Sequence, residues 1–324
     1  MEKYLNNWIT IIDGIKNDNT YKASWGRAII ECIVSDEYEV VNDEVILEEY
    51  FIVQKILKYY WNLNCFFNIT QGEFLVIEKV TKEISEDFYR KKKHRYPAWS
   101  NEMEIYIKRK QIRYEKIINK IMKIVNRNIA YRFLNHRSKK IELYRLDLKT
   151  KSLRFIKGDI DTIKNYSTLL TDLINFKWAC YLENYNNSPY LLKKVIDSSQ
   201  VNLKRQSLRA IKNLLVQYYH NGGIFDFYTG EHIEYADIKV VHVIPYNYIY
   251  ADNIWNLVIT SKATKHNLIP TKDDIEKLKR RNRELLLELR NVNTKEYHEL
   301  SNVVNNNLLD QSFMDMQGLN HENI

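Results

Sequence analysis

The stretch that decides the fold is Asp237-IKVVHVIPYNYIYADNIWNLVITSKATKHNLI-Pro270. A short apolar run, Ile238 to Val241, reads as a strand that delivers His242. Pro245 ends that strand, because a ring nitrogen cannot donate to a ladder. Asn256 lies 14 residues beyond His242, inside Ile254-Trp255-Asn256-Leu257-Val258, and His266 lies 10 further on. The rest of the stretch reads as short β-like runs and loops, and a charged helix is expected over 272–289.

Upstream, the pattern is helical. Tyr4, Leu5, Trp8, Ile11, Ile12 and Ile15 recur at helical spacing, and Trp25, Ala28, Ile29 and Cys32 follow on a second helix. Further helices are expected over 44–60, 73–90, 99–132, 159–184, 190–197 and 203–219. One β-hairpin interrupts them, built from 140–149 and 153–156 around a polar turn. Gly222-Gly223 is the one Gly-Gly pair and marks the expected domain boundary. This gives a helical region over 1–220, a compact domain over 221–290 and a polar, Asn-rich tail over 291–324 that is expected to be weakly ordered.

Composition narrows the function. The chain has 324 residues, which suggests about two domains, and only 8 Gly and 4 Pro, which favours long helices over a turn-rich β fold. The net charge of +8 points to a polyanionic partner. Cys32, Cys65 and Cys180 stand far apart with no CxxC pair, which excludes a four-cysteine zinc site, a disulfide framework and a thioredoxin-type centre. They read as buried core thiols. The N-terminal MEKYLNNWITIIDG has acidic residues and Asn within its apolar run and does not read as a signal peptide. With no apolar span of membrane length, the protein is expected in the cytoplasm and away from membranes.

The His242–Asn256–His266 order resembles the HNH (ββα-metal) endonuclease family. His242-Val-Ile-Pro followed by Trp255-Asn-Leu-Val is close to that family's wording, and Phe227-Tyr228-Thr229-Gly230 is similar to its turn before the first strand. Thr20-Tyr21-Lys22-Ala23-Ser24-Trp25-Gly26-Arg27-Ala28, Tyr60-Trp61, Leu173-Ile174-Asn175-Phe176-Lys177-Trp178-Ala179 and Leu182-Glu183 resemble segments of a bacterial HNH group with a helical N-terminal region. That group occurs among restriction and phage-defence proteins.

The resemblance implies a mainly α chain whose helical region, with its small β-hairpin, precedes a C-terminal ββα-metal domain. It implies hydrolysis of phosphodiester bonds in nucleic acid, DNA first, with Mg²⁺ or Mn²⁺. His242 would be the general base, Asn256 would brace the loop and orient the base, and His266 would be a metal ligand. The family usually places Asp or His directly before the base; here that residue is Val241. Asp237 is the first candidate to supply the missing oxygen, with Asp226 and Asp252 as others.

Arg90, Lys91, Lys92 and Lys93 form the densest cationic run, with Tyr96 and Trp99 nearby as stacking candidates. Lys265, Arg280, Arg281 and Arg283 flank the motif and are the second set of phosphate-contact candidates. Two alternatives stay open. The domain acts as a nucleic-acid-binding or protein-interaction module in a defence complex, which Val241 favours, or the target is RNA such as a tRNA. A defence-system partner protein and a homodimer are both compatible with the sequence.

Overall fold

The computed structural model describes residues 2–321 except 16–19, 73–74, 93–97, 138, 220–221, 266, 268 and 291–293, and gives only the backbone of 91–92, 111–113, 294 and 319–321. The chain is mainly helical with small antiparallel sheets. It divides into two units: Met1–Asn186 with Tyr190–Leu203, and Asn187–Pro189 with Lys204–Ile324.

The first unit runs α1 (Glu2–Asp13), α2 (Tyr21–Val34), β1 (Glu39–Val41), β2 (Glu44–Glu48), α3 (Glu49–Tyr60), α4 (Val76–Lys92), α5 (Ser100–Lys108), α6 (Gln111–Asn128), α7 (Ala130–Phe133), β3 (Asn135–His136), β4 (Lys139–Lys140), β5 (Arg145–Asp147), β6 (Ser152–Ile156), α8 (Lys157–Asn165), α9 (Ser167–Leu182) and α10 (Leu191–Asp197). Helix α2 is buried almost all round, as its Ala, Ser and Gly content allows. A Cβ at Gly26 would stand 2.9 Å from the Phe133 ring, so glycine sets how closely α7 approaches.

The expected helix over 44–60 is two elements. Val45 and Leu47 are buried while their neighbours are not, which is the period of a strand. They pair with Phe155 and Leu153 of β6, placing β2 between β1 and β6 in a four-stranded sheet of order β1-β2-β6-β5. The hairpin joining β1 to β2 turns at Asn42 and Asp43, both at positive φ. The expected helix over 99–132 is three elements, α5, α6 and α7: Ile105 of α5, expected to face inward, is exposed, whereas Ile117, Ile118, Ile121 and Val125 of α6 are buried. Cys180 is exposed on α9 and Cys32 is buried.

The second unit runs α11 (Arg209–Tyr219), β7 (Ile238–His242), α12 (Tyr246–Ile249), β8 (Leu257–Ser261), α13 (Lys272–Leu289), α14 (Thr294–Asn305) and α15 (Leu308–His321). Its boundary falls at Leu203/Lys204, ahead of the glycine pair, because Leu215 of α11 is buried in this unit's core. The tail expected to be weakly ordered folds as α14 and α15. Leu300, Val303, Leu309, Phe313 and Met316 pack with Trp255, Val258, Leu278 and Leu285. Among the described residues no helix is long and apolar enough to cross a membrane.

Helix α13 has the bounds expected from the sequence. Thr271 caps it: its Oγ1 accepts from Asp274 N, and Asp274 Oδ2 accepts from Thr271 N at 2.8 Å. Ile275, Leu278, Arg281, Asn282, Leu285 and Leu289 form its buried stripe.

Candidate active site

Strands β7 and β8 make a two-stranded antiparallel ribbon, paired from Ile238 with Ser261 to His242 with Leu257. His242 therefore stands at one end of the ribbon. Val241, one residue earlier, points to the other face. It is 7% exposed and belongs to the apolar core with Val258.

Beyond His242 the chain turns back sharply, and Asn256 fixes that turn. Its Nδ2 donates to Ile244 O and its Oδ1 accepts from Ile244 N, both at 2.8 Å. Its backbone carbonyl accepts from Val243 N at 3.0 Å. Asn256 is wholly buried, so this side chain replaces a missing stretch of sheet ladder for residues 243–244. It braces the loop and makes no hydrogen bond to the imidazole.

The group that meets the imidazole is Asp252. His242 Nε2 lies 3.0 Å from Asp252 Oδ1, and the two side chains are 9% and 17% exposed. The approach is oblique, and Nε2 has no aligned hydrogen bond among the described residues. Arg205 Nη2 reaches the same Oδ1 at 3.3 Å, and its guanidinium lies 3.8 Å above the Tyr246 ring. The Tyr246 ring in turn meets His242 edge-on at 5.3 Å. Burial raises the Asp252 carboxyl's pKa, but the His242 imidazole and the Arg205 guanidinium outweigh it, and the net shift is downward. Tyr250, two residues before Asp252, is buried and left-handed at φ 55. A bulky residue rarely adopts that conformation, and such strain gathers at functional turns.

The other acidic candidates lie elsewhere. Asp237 is exposed at the start of β7, five residues before His242, so the two are separated by about 16 Å of extended chain. Asp226 is buried and saturated. Its Oδ1 accepts from Tyr228 N and Thr229 N, and its Oδ2 accepts from Thr260 Oγ1, Ser261 N and Thr264 Oγ1. Burial would raise its pKa, yet these donors hold it down at about 2. His266 lies outside the described residues. Among the described residues, no group of three or more His, Cys, Asp or Glu is placed to hold a metal ion.

The basic candidates separate by helix face. Arg280 and Arg283 are exposed on α13, and Lys265 is exposed in the loop before it. Arg281 lies on the buried stripe, 5% exposed, and its Nη2 donates to Ile254 O at 3.2 Å and Trp255 O at 3.3 Å. It therefore holds the turn that carries Asn256 and does not face solvent for phosphate contact. Its Nε and Nη1 have no partner among the described residues, and burial lowers its pKa to about 10. The spacing of 275, 278, 281, 282 and 285 is the sequence signal that separates Arg281 from its neighbours.

The second cationic run belongs to the first unit. Arg90 is exposed at the end of α4 and ion-paired with Asp87 at 3.0 Å. Lys91 and Lys92 are helical, with side chains outside the description, and Lys93 and Tyr96 lie outside the described residues. Trp99 is buried and donates to Gln200 O at 3.0 Å, so it offers no free face to a base.

Asp252 and Arg205 are thus the partners that sequence reasoning passed over or left among several. No protein-family model, curated protein or solved structure matches the chain.

Proposed function

We propose that the second unit is an HNH-type endonuclease, a hydrolase of phosphodiester bonds in nucleic acid, with DNA as its substrate in bacterial restriction or phage defence. The observation that carries this reading is the placement of His242. It ends an antiparallel strand, its loop is clamped by a buried Asn256, and a helix follows the second strand. A half-buried imidazole with one nitrogen toward a carboxylate can take a proton from water through the other. Arg280, Arg283 and Lys265 are exposed cations on and before the following helix, suited to the substrate backbone.

The expected cofactor is Mg²⁺ or Mn²⁺, which would place charge on the scissile phosphate. The described side chains do not make that site on their own. Val241 points into the core, Asp237 stands at the far end of the strand, and His266 is outside the described residues. No step is therefore assigned to the metal.

The inward Val241 favours a second reading, a nucleic-acid-binding or partner-binding module on the same scaffold. One experiment separates the two. The full chain is incubated with supercoiled plasmid, single-stranded DNA and tRNA, with Mg²⁺, with Mn²⁺ and with EDTA. Metal-dependent cutting supports the nuclease, and the substrate that is cut decides between DNA and RNA. Binding without cutting in every condition supports the module. Size-exclusion chromatography of the same sample reads whether a homodimer forms.

A further inference from the structure

Two residues outside the His–Asn–His wording converge on His242. Asp252 Oδ1 is 3.0 Å from Nε2, and Arg205 Nη2 is 3.3 Å from that same oxygen. A neutral imidazole that turned a lone pair toward a carboxylate oxygen at this distance would set two electron pairs against each other. A proton on Nε2 removes the conflict and makes a charge-assisted donor–acceptor pair. The oblique approach is common at resting sites, where such bonds align only when the site is loaded.

The carboxylate is itself held. Arg205 pairs with Asp252 and lies 3.8 Å over the centre of the Tyr246 ring, and that ring meets the His242 ring edge-on at 5.3 Å. The left-handed Tyr250 turns the chain so that Asp252 comes back over the end of β7. Asp252 is separated from Arg205 by 47 positions in sequence, so the fold has to bring the two together.

We infer that Asp252 and Arg205 are positioning residues for His242: Asp252 accepts the Nε2 proton and leaves the lone pair on Nδ1, and Arg205 holds Asp252 in that role. The inference rests on the reading of His242 as the group that takes a proton from water. It assigns Nδ1 as the atom that does so. Neither Asp252 nor Arg205 need touch the substrate.

Nitrogen-15 NMR of the full chain, labelled at histidine, tests it without relying on activity. His242→Gln identifies the His242 signals among the 8 histidines. At alkaline pH the expected result is a His242 ring protonated on Nε2, with an exchange-protected, downfield Nε2 proton. Asp252→Ala should abolish that protection, and Arg205→Ala should weaken it. Asp252→Asn, which keeps the shape if the alanine variant fails to fold, should move the proton upfield. Cleavage by Asp252→Asn should fall about 10²-fold, within the about 10²–10⁴ that general-base catalysis contributes. A wild-type ring protonated on Nδ1, or His242 signals or cleavage unchanged by Asp252→Asn, would overturn the inference. If the NMR result is as expected and no nucleic acid is ever cut, the pairing stands and the nuclease reading falls.

Discussion

The two ends of the β7–β8 ribbon each carry a buried or half-buried aspartate, and the two are used in opposite ways. At the Ile238–Ser261 end, Asp226 accepts five hydrogen bonds from backbone and hydroxyl donors. Those donors belong to the turn after Asp226, to the end of β8 and, at Thr264, to the loop that follows it. At the His242–Leu257 end, Asp252 meets an imidazole and a guanidinium, beside a strained Tyr250. A saturated carboxylate is part of the scaffold. One facing titratable and cationic side chains, with an imidazole nitrogen left unaligned, is the arrangement that the proposed nuclease would use.

The largest expected effect tests the scaffold end. Asp226→Ala should lower stability by about 4 kcal/mol, at the high end for one substitution, since several buried donors lose their acceptor together. The same carboxylate gives a pH signature. Its folded pKa of about 2 lies below the ordinary Asp value, so its contribution is fully present above about pH 4 and is lost as pH falls through about 2. About 2 kcal/mol should disappear over that window in wild type and be missing from Asp226→Ala, read by urea unfolding at each pH. A variant within 0–1 kcal/mol of wild type, on the order of an exposed ion pair, would erase the contrast between the two ends.

Val241→Asp sharpens the comparison on the strand itself. The residue is 7% exposed in the core, so the carboxylate would be buried without a partner. Stability should fall by about 3 kcal/mol with no gain in Mn²⁺ affinity, read by calorimetry. A stable variant that binds metal more tightly would mean that the strand end can bring both faces to the site.

Asn256→Ala and Asp252→Ala should divide stability from function. The first frees both groups of Ile244 in a buried turn and should cost about 2 kcal/mol. The second removes a partly exposed charge contact and should cost about 0–1 kcal/mol while the histidine loses its partner. Equal melting losses in the two variants would place Asp252 with the scaffold.

Much of this was legible in sequence. The strand leading to His242 and the bounds of α13 follow from period and proline, and the bracing of the loop by Asn256 was implied by the family resemblance. The helical character of the first region was legible too, although Val45-Ile46-Leu47 reads equally as a helix face and as a short strand until β6 is there to pair with it. The last helices were hidden by Asn and other polar residues, which mask Leu300, Val303, Phe313 and Met316 on one face. Among three acidic candidates, only the fold could choose Asp252. The choice depends on the αL turn at Tyr250 and on a distant arginine.

The smallest effect concerns the helix beyond the ribbon. Arg280→Ala and Arg283→Ala should leave stability unchanged, weaken nucleic-acid binding and each reduce the salt slope by about one. Arg281→Met should leave the salt slope as it is, because that guanidinium faces the Ile254 and Trp255 carbonyls. A reduced slope in Arg281→Met would place that residue on the binding face.

The most direct test is single-turnover cleavage of DNA by wild type and by His242→Ala, with Mg²⁺ or Mn²⁺ and with folding checked by circular dichroism. Wild type should cut. His242→Ala should bind equally well and cut about 10²–10⁴ times more slowly. Equal cutting by the two, or no cutting of any nucleic acid by wild type, would contradict the assignment of the His242 end of the ribbon as the reactive one.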